Sequence, residues 1–185
     1  MFFVTLLALT GSLSVAPMDT TINGVTFTST ITVGAQSLVL NGVALRKKAI
    51  FKVYAAGLYV GTKSNDATVI LAADAPRRMV LSFLRDVGKD KMCEAWNDAL
   101  ADNTPDASAQ LKTDFTTLCG YMADIKEHEQ MVFTYVPGTG TEISVAGTVK
   151  GTLAGKDFAD ALLKAWIGPK PGPGEGFKKN ILGEQ

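Results

Sequence analysis

LNGVALRKKAIFKVYAAGLYV, residues 40–60, is the stretch on which the reading of the fold turns. From Ala49 onward, Ala49, Phe51, Val53, Ala55, Gly57 and Tyr59 give an apolar face at the two-residue period of a β-strand. The alternate face of an unbulged strand carries Arg46, Lys48, Ile50, Lys52, Tyr54, Ala56, Leu58 and Val60, so Arg46 and Tyr54 share a side. The same stretch holds the densest group of cations in the chain. A guanidinium beside an apolar cleft costs several kcal/mol to desolvate unpaired, so Arg46 calls for an anion or water. Arginine holds a carboxylate through two parallel hydrogen bonds, and a nearby tyrosine hydroxyl donates a third. The simpler reading makes Arg46, Lys47 and Lys48 a solvated turn paired with Asp86 or Glu142.

On the N-terminal side, residues 20–32 alternate apolar and polar positions with a turn at Asn23-Gly24, and residues 36–40 form a second strand leading through Asn41-Gly42 into the central stretch. On the C-terminal side, residues 67–73 read as a short helix and 78–84 as a strand. Met92, Ala95, Trp96, Ala99 and Leu100 make one helical stripe. Thr104-Pro105 reads as an N-cap followed by proline at the first helical position, opening a second helix with Leu111, Phe115, Leu118 and Met122 on one face. Strands at 131–136, 141–145 and 148–153 form a meander, and residues 157–167 are a helix stopped by Gly168-Pro169. PKPGPGEG, residues 169–176, is a surface loop, and residues 177–182 dock as a last helical turn. Strands, a helical pair, strands and a helix predict an α+β domain, an antiparallel sheet with helices on one face.

At 185 residues the chain fits one domain with its own core. Lys plus Arg and Asp plus Glu are 18 each, so no net charge draws the chain to nucleic acid or an anionic membrane. Residues 1–16, MFFVTLLALTGSLSVA, hold an apolar run too short for a membrane span and a small-x-small ending at Ser14 and Ala16. They read as a signal peptide, leaving a domain over 17–185 in the periplasm or outside the cell and no integral membrane segment in the mature chain. A buried N-terminal strand or helix is the alternative. Cys93 and Cys119 lie on successive helices and either pair or remain buried thiols. No spacing suggests a metal or a cofactor. His128, in KEHEQ, is a solvated side chain.

GVALR followed by FKVYAAGLY resembles the chalcone isomerase-like family in its bacterial branch. RRMVLSFLRDV (77–87), EAWNDAL (94–100), YVPGTGTEISV (135–145) and DFADALLKAWIG (157–168) resemble it in the same order. The resemblance implies an open-faced sheet with a ligand cleft between sheet and helices, the central strand as its floor and the helix around Trp96 as a wall. Arg46 corresponds to the arginine that positions the ionised phenol of a chalcone in plant isomerases. Tyr54 corresponds to the tyrosine that, with that arginine, holds a carboxylate in fatty-acid-binding members. Lys91 or Met92 stands where the plant isomerases carry a tyrosine that orders water around developing charge. Lys52 snorkels to solvent or lies at the cleft rim. Tyr59, Trp96 and Trp166 read first as core.

The ligand-binding residues expected are therefore Arg46, Tyr54, Lys52, Lys91 and Met92. The leading expectation is non-catalytic binding of a small acidic lipophilic ligand, a carboxylate or phenolate with an apolar body such as a fatty acid. The alternative is a chalcone isomerase-type intramolecular lyase with Arg46 as catalytic electrostatic anchor and no general base. A third reading is an interaction module with an empty cleft.

Overall fold

The structure, a computed structural model, describes residues 18–184; the expected leader over 1–16 lies outside them. Two short strands, β1 (Thr20–Ile22) and β2 (Val25–Phe27), form a hairpin. Asn23 and Gly24 turn it, both at positive φ. Seven further strands pair antiparallel in sequence order: β3 (Thr30–Val33), β4 (Gln36–Lys48), β5 (Phe51–Val60), β6 (Arg77–Phe83), β7 (Gln130–Val136), β8 (Gly140–Val145) and β9 (Thr148–Leu153). The helices are α1 (Ala67–Ala72), α2 (Lys89–Asn103), α3 (Ala109–Tyr121), α4 (Lys156–Ile167) and α5 (Glu175–Ile181). The expected α+β architecture is the one observed.

All five helices cover one face. Ala44, Ala56, Leu58, Val60, Leu81, Phe83 and Phe133 from the sheet join Ile70, Trp96, Phe115, Phe158 and Phe177 from the helices in one buried core. The other face is covered by the β1–β2 hairpin, where Phe27 packs with Leu38, Leu40, Ala55 and Tyr59. Gly57 permits this: a Cβ there would meet the Phe27 ring at 2.5 Å. The face of β5 that meets the helices is thus the one bearing Tyr54, Ala56, Leu58 and Val60. Ala55, Gly57 and Tyr59 look the other way.

Three sequence expectations are corrected. Residues 46–60 are not one strand; β4 and β5 are joined by a two-residue turn at Ala49-Ile50, with Lys48 opposite Phe51 and Ala49 at φ +53°. Asn41-Gly42 does not link two strands but lies within β4, which runs on from 36 to 48, at a bulge. Asn41 locks that bulge, donating to the carbonyls of Ser64 (3.0 Å) and Ile181 (3.2 Å) and accepting from the Ser64 N–H (2.9 Å). A Cβ on Gly42 would lie 2.6 Å from the Ile181 carbonyl oxygen, so the glycine lets the end of α5 rest on the sheet. Finally, Thr104 closes α2 through its N–H to Leu100 O (2.8 Å), and α3 is capped instead by Ser108, whose hydroxyl accepts from the Leu111 N–H at 3.1 Å.

The far end of the core holds a buried polar network. Arg77, 5% exposed, pairs with Asp160 and lies over the Tyr135 ring, 4.8 Å from its centroid. Lys156 reaches the same carboxylate, and the Tyr135 hydroxyl donates to Asp74 at 2.6 Å. These contacts fasten α4 to β6 and β7. Asp160→Ala leaves Arg77 buried without its counter-charge and is expected to destabilise the fold by about 3 kcal/mol, the low end for a broken buried pair because Asp160 is partly exposed. Urea unfolding of the two proteins measures it.

Candidate functional site

The β4–β5 register places Arg46 and Tyr54 directly opposite each other, two residues beyond the Ala44–Ala56 pair and therefore on the same, helix-covered face. They share a side by cross-strand pairing, not by alternation along one strand. Between this end of the sheet and helices α2 and α4 lies a cavity of about 460 Å³. Its depth is apolar, lined by Leu81, Phe83, Met92, Trp96, Ala99, Ala165 and Trp166. Its mouth is charged, with Arg46, Lys48, Arg85 and Lys91 against Asp86, Glu94 and Asp98.

Inside, the indole N–H groups are already satisfied. Trp166 Nε1 donates to the Tyr54 hydroxyl at 3.0 Å, and Trp96 Nε1 points to Met122 Sδ at 3.3 Å. The two indoles meet edge to face, 5.5 Å between centroids, and present ring surface to the cavity. Tyr54 is wedged against Phe83 and Phe177, and burial pushes its phenol up to about 12, against the opposing pulls of the Trp166 hydrogen bond and the Arg46 charge. Its oxygen accepts from Trp166 while its own proton has no acceptor among the described residues. It is a neutral donor at physiological pH.

Arg46 is half-buried and makes no ion pair or side-chain hydrogen bond among the described residues. The pairing with Asp86 that a solvated turn would use is absent: Asp86 Oδ2 lies 2.9 Å from Lys126 Nζ. Hydrogen bonds from Lys126 and the Glu127 N–H hold the Asp86 carboxyl below its usual range. Glu94 is likewise engaged, by Lys91 at 2.7 Å. Of the cations around the cavity without an ion-pair partner among the described residues, Arg46 is the half-buried one, whereas Lys48 and Arg85 are exposed.

Of the expected residues, Arg46, Tyr54, Lys91 and Met92 line the cavity. Met92 lies within and Lys91 at the rim. Lys52 does not line it: the turn at residues 49–50 and the bulge beyond Arg46 carry it opposite Lys47, exposed on the hairpin tip. Arg85 and Phe51 belong to the mouth and were not anticipated; the guanidinium carbon of Arg85 lies 4.6 Å from the Phe51 ring centroid. The alternation Met79, Leu81, Phe83, Arg85 carries the signal for Arg85. Trp96 and Trp166, read as core, are buried and also form the cavity wall. Cys93 and Cys119 form a disulfide that ties α2, the wall helix, to α3. No cluster of metal-ligating side chains occurs among the described residues, and His128 is exposed.

The sequence model of a family described as chalcone isomerase-like matches residues 19–183. Among solved structures, a fatty-acid binding protein of Arabidopsis thaliana superposes with a TM-score of 0.68 at 18% identity, covering 89% of this chain and 95% of that one. At that identity the likeness speaks to the fold. Comparison with curated proteins finds no match.

Tyr135, like Tyr54, is pushed up to about 12, chiefly by burial and then by the Asp74 carboxylate. Unfolded phenols ionise near 10, so the folded state is the better proton binder between those values. The stability this contributes is fully present below about pH 10 and is lost as the pH rises through about 12. Urea midpoints should therefore fall over that window, and Tyr54→Phe should flatten the fall while costing about 1–3 kcal/mol at neutral pH for the orphaned Trp166 N–H.

Proposed function

The chain belongs to the chalcone isomerase-like family, and on that premise we propose that it binds a small acidic lipophilic molecule, with a carboxylate held by Arg46 and Tyr54 and an apolar body lying along Trp96, Trp166 and Met92. The observation that carries this reading is the half-buried, unpaired Arg46 opposite a neutral tyrosine donor at the mouth of an apolar cavity. An anion there recovers the desolvation cost of the guanidinium. The cavity volume lies in the range of small-molecule sites, with its charged groups gathered at one end to orient the ligand. A fatty acid has that form.

Binding takes precedence over isomerisation because of α2. At the place of the isomerase tyrosine, Lys91 is engaged by Glu94 and Met92 has no donor. Stabilising a developing oxyanion depends on such donors. We place the binding outside the cytoplasm, on the leader pattern of residues 1–16 and on the Cys93–Cys119 disulfide, which persists in oxidising compartments.

Calorimetric titration with a medium-chain fatty acid and its methyl ester tests the reading. The wild-type protein is expected to prefer the acid, and Arg46→Ala to weaken acid binding on the order of 10–100-fold, the worth of charge-assisted hydrogen bonds, while leaving the ester unaffected. Equal acid affinity in the two proteins refutes the site. Cyclisation of a chalcone by the wild type, lost in Arg46→Ala, shifts the assignment to an enzyme.

A further inference from the structure

The tip of the β4–β5 hairpin carries features that the cavity does not explain. Ile50 is 87% exposed and Phe51 54% exposed, and Lys47, Lys48 and Lys52 around them are exposed as well. Lys47 and Lys52 are direct cross-strand partners, an arrangement of like charges that weakens a hairpin in water. Residues 20–65 contain no Asp or Glu, so the hairpin has no acid of its own. The acids on neighbouring segments are Asp86, engaged by Lys126, Glu94, engaged by Lys91, and Asp98 on the cavity rim. Arg46, Lys47, Lys48, Lys52 and Arg85 are left without an ion-pair partner among the described residues. The neutrality of the whole chain conceals this local excess, which acts within a screening length of about 8 Å.

We propose that the hairpin tip is a docking surface for an anionic lipid bilayer, with Ile50 and Phe51 entering the boundary between headgroups and acyl chains and the cations lying against lipid phosphates. Cations flanking exposed apolar side chains are the chemistry by which peripheral segments hold such surfaces. A nucleic acid offers phosphates to the cations but nothing for an aliphatic apex at Ile50. Arg46, Lys48 and Phe51 also line the cavity, so docking brings its mouth against the bilayer, where lipophilic acids partition. The docking itself rests on charge and exposed apolar side chains and stands whatever occupies the cavity.

Co-sedimentation with vesicles of equal phosphatidylglycerol and phosphatidylcholine, set against phosphatidylcholine alone, tests it. The wild-type protein is expected to bind the anionic vesicles, in a salt-sensitive manner, and the neutral ones far less. Lys47→Gln with Lys52→Gln, neither of which lines the cavity, should weaken binding on the order of 30-fold, whereas Lys112→Gln with Lys150→Gln, the same charge loss elsewhere, should not. In Ile50→Trp, the introduced indole should shift its emission to the blue on the anionic vesicles. No binding by the wild type, equal binding to both vesicle types, equal effects of the two lysine pairs, or a bound protein whose introduced indole stays in water each overturns the proposal.

Discussion

The antiparallel register of β4 against β5 sets a guanidinium opposite a phenol at the end of a sheet whose next pair inward on the same face is Ala44 and Ala56. Everything at the site depends on that alignment. The bulge beyond Arg46 carries Lys52 opposite Lys47, while Lys48, opposite Phe51, stays with Arg46 at the cavity mouth. A slip of one residue would send Arg46 to the opposite face of the sheet, away from Tyr54 and the cavity. The register is itself held from a distance. Asn41 and Gly42 fit the second bulge of β4 to the end of α5, so the last helix fixes where the longest strand bends.

The dipeptide Asn-Gly shows how far local sequence reaches. At residues 23–24 it makes the turn its chemistry favours, with both residues at positive φ. At residues 41–42 the same pair lies inside a strand, because Ser64 and Ile181 supply partners for the asparagine and α5 requires the absence of a side chain at position 42. Conversely, the turn that joins β4 to β5 is Ala49-Ile50, with none of the residues that announce one. Strand and helix faces were legible because burial imposes their periods; the conformation at residues 41–42 is set by contacts far along the chain.

The candidate site was legible to the same extent. Arg46 and Tyr54 were paired on chemical grounds through a continuous strand that does not exist, and the hairpin brings them together for another geometric reason. Of the two places the sequence leaves open for Lys52, solvent or the cleft rim, the register gives it solvent, opposite Lys47. Met92 and Lys91 followed from the resemblance alone, as the place of the plant isomerases' tyrosine, and both line the cavity. Arg85 and Phe51 meet only in three dimensions, one after β6 and the other at the start of β5. The two tryptophans read as core, and a residue on the wall of a deep cleft has the same sequence signature as a core residue.

The central claim is that Arg46 holds the acidic end of a lipophilic ligand. Native mass spectrometry of the folded protein from its source cells, with a denatured extract and the Arg46→Ala protein alongside, tests it most directly. The account predicts a carboxylic acid in stoichiometric amount on the wild-type protein and its loss from the folded Arg46→Ala protein. The same acid retained by both proteins, or a bound molecule with no acidic group, contradicts it.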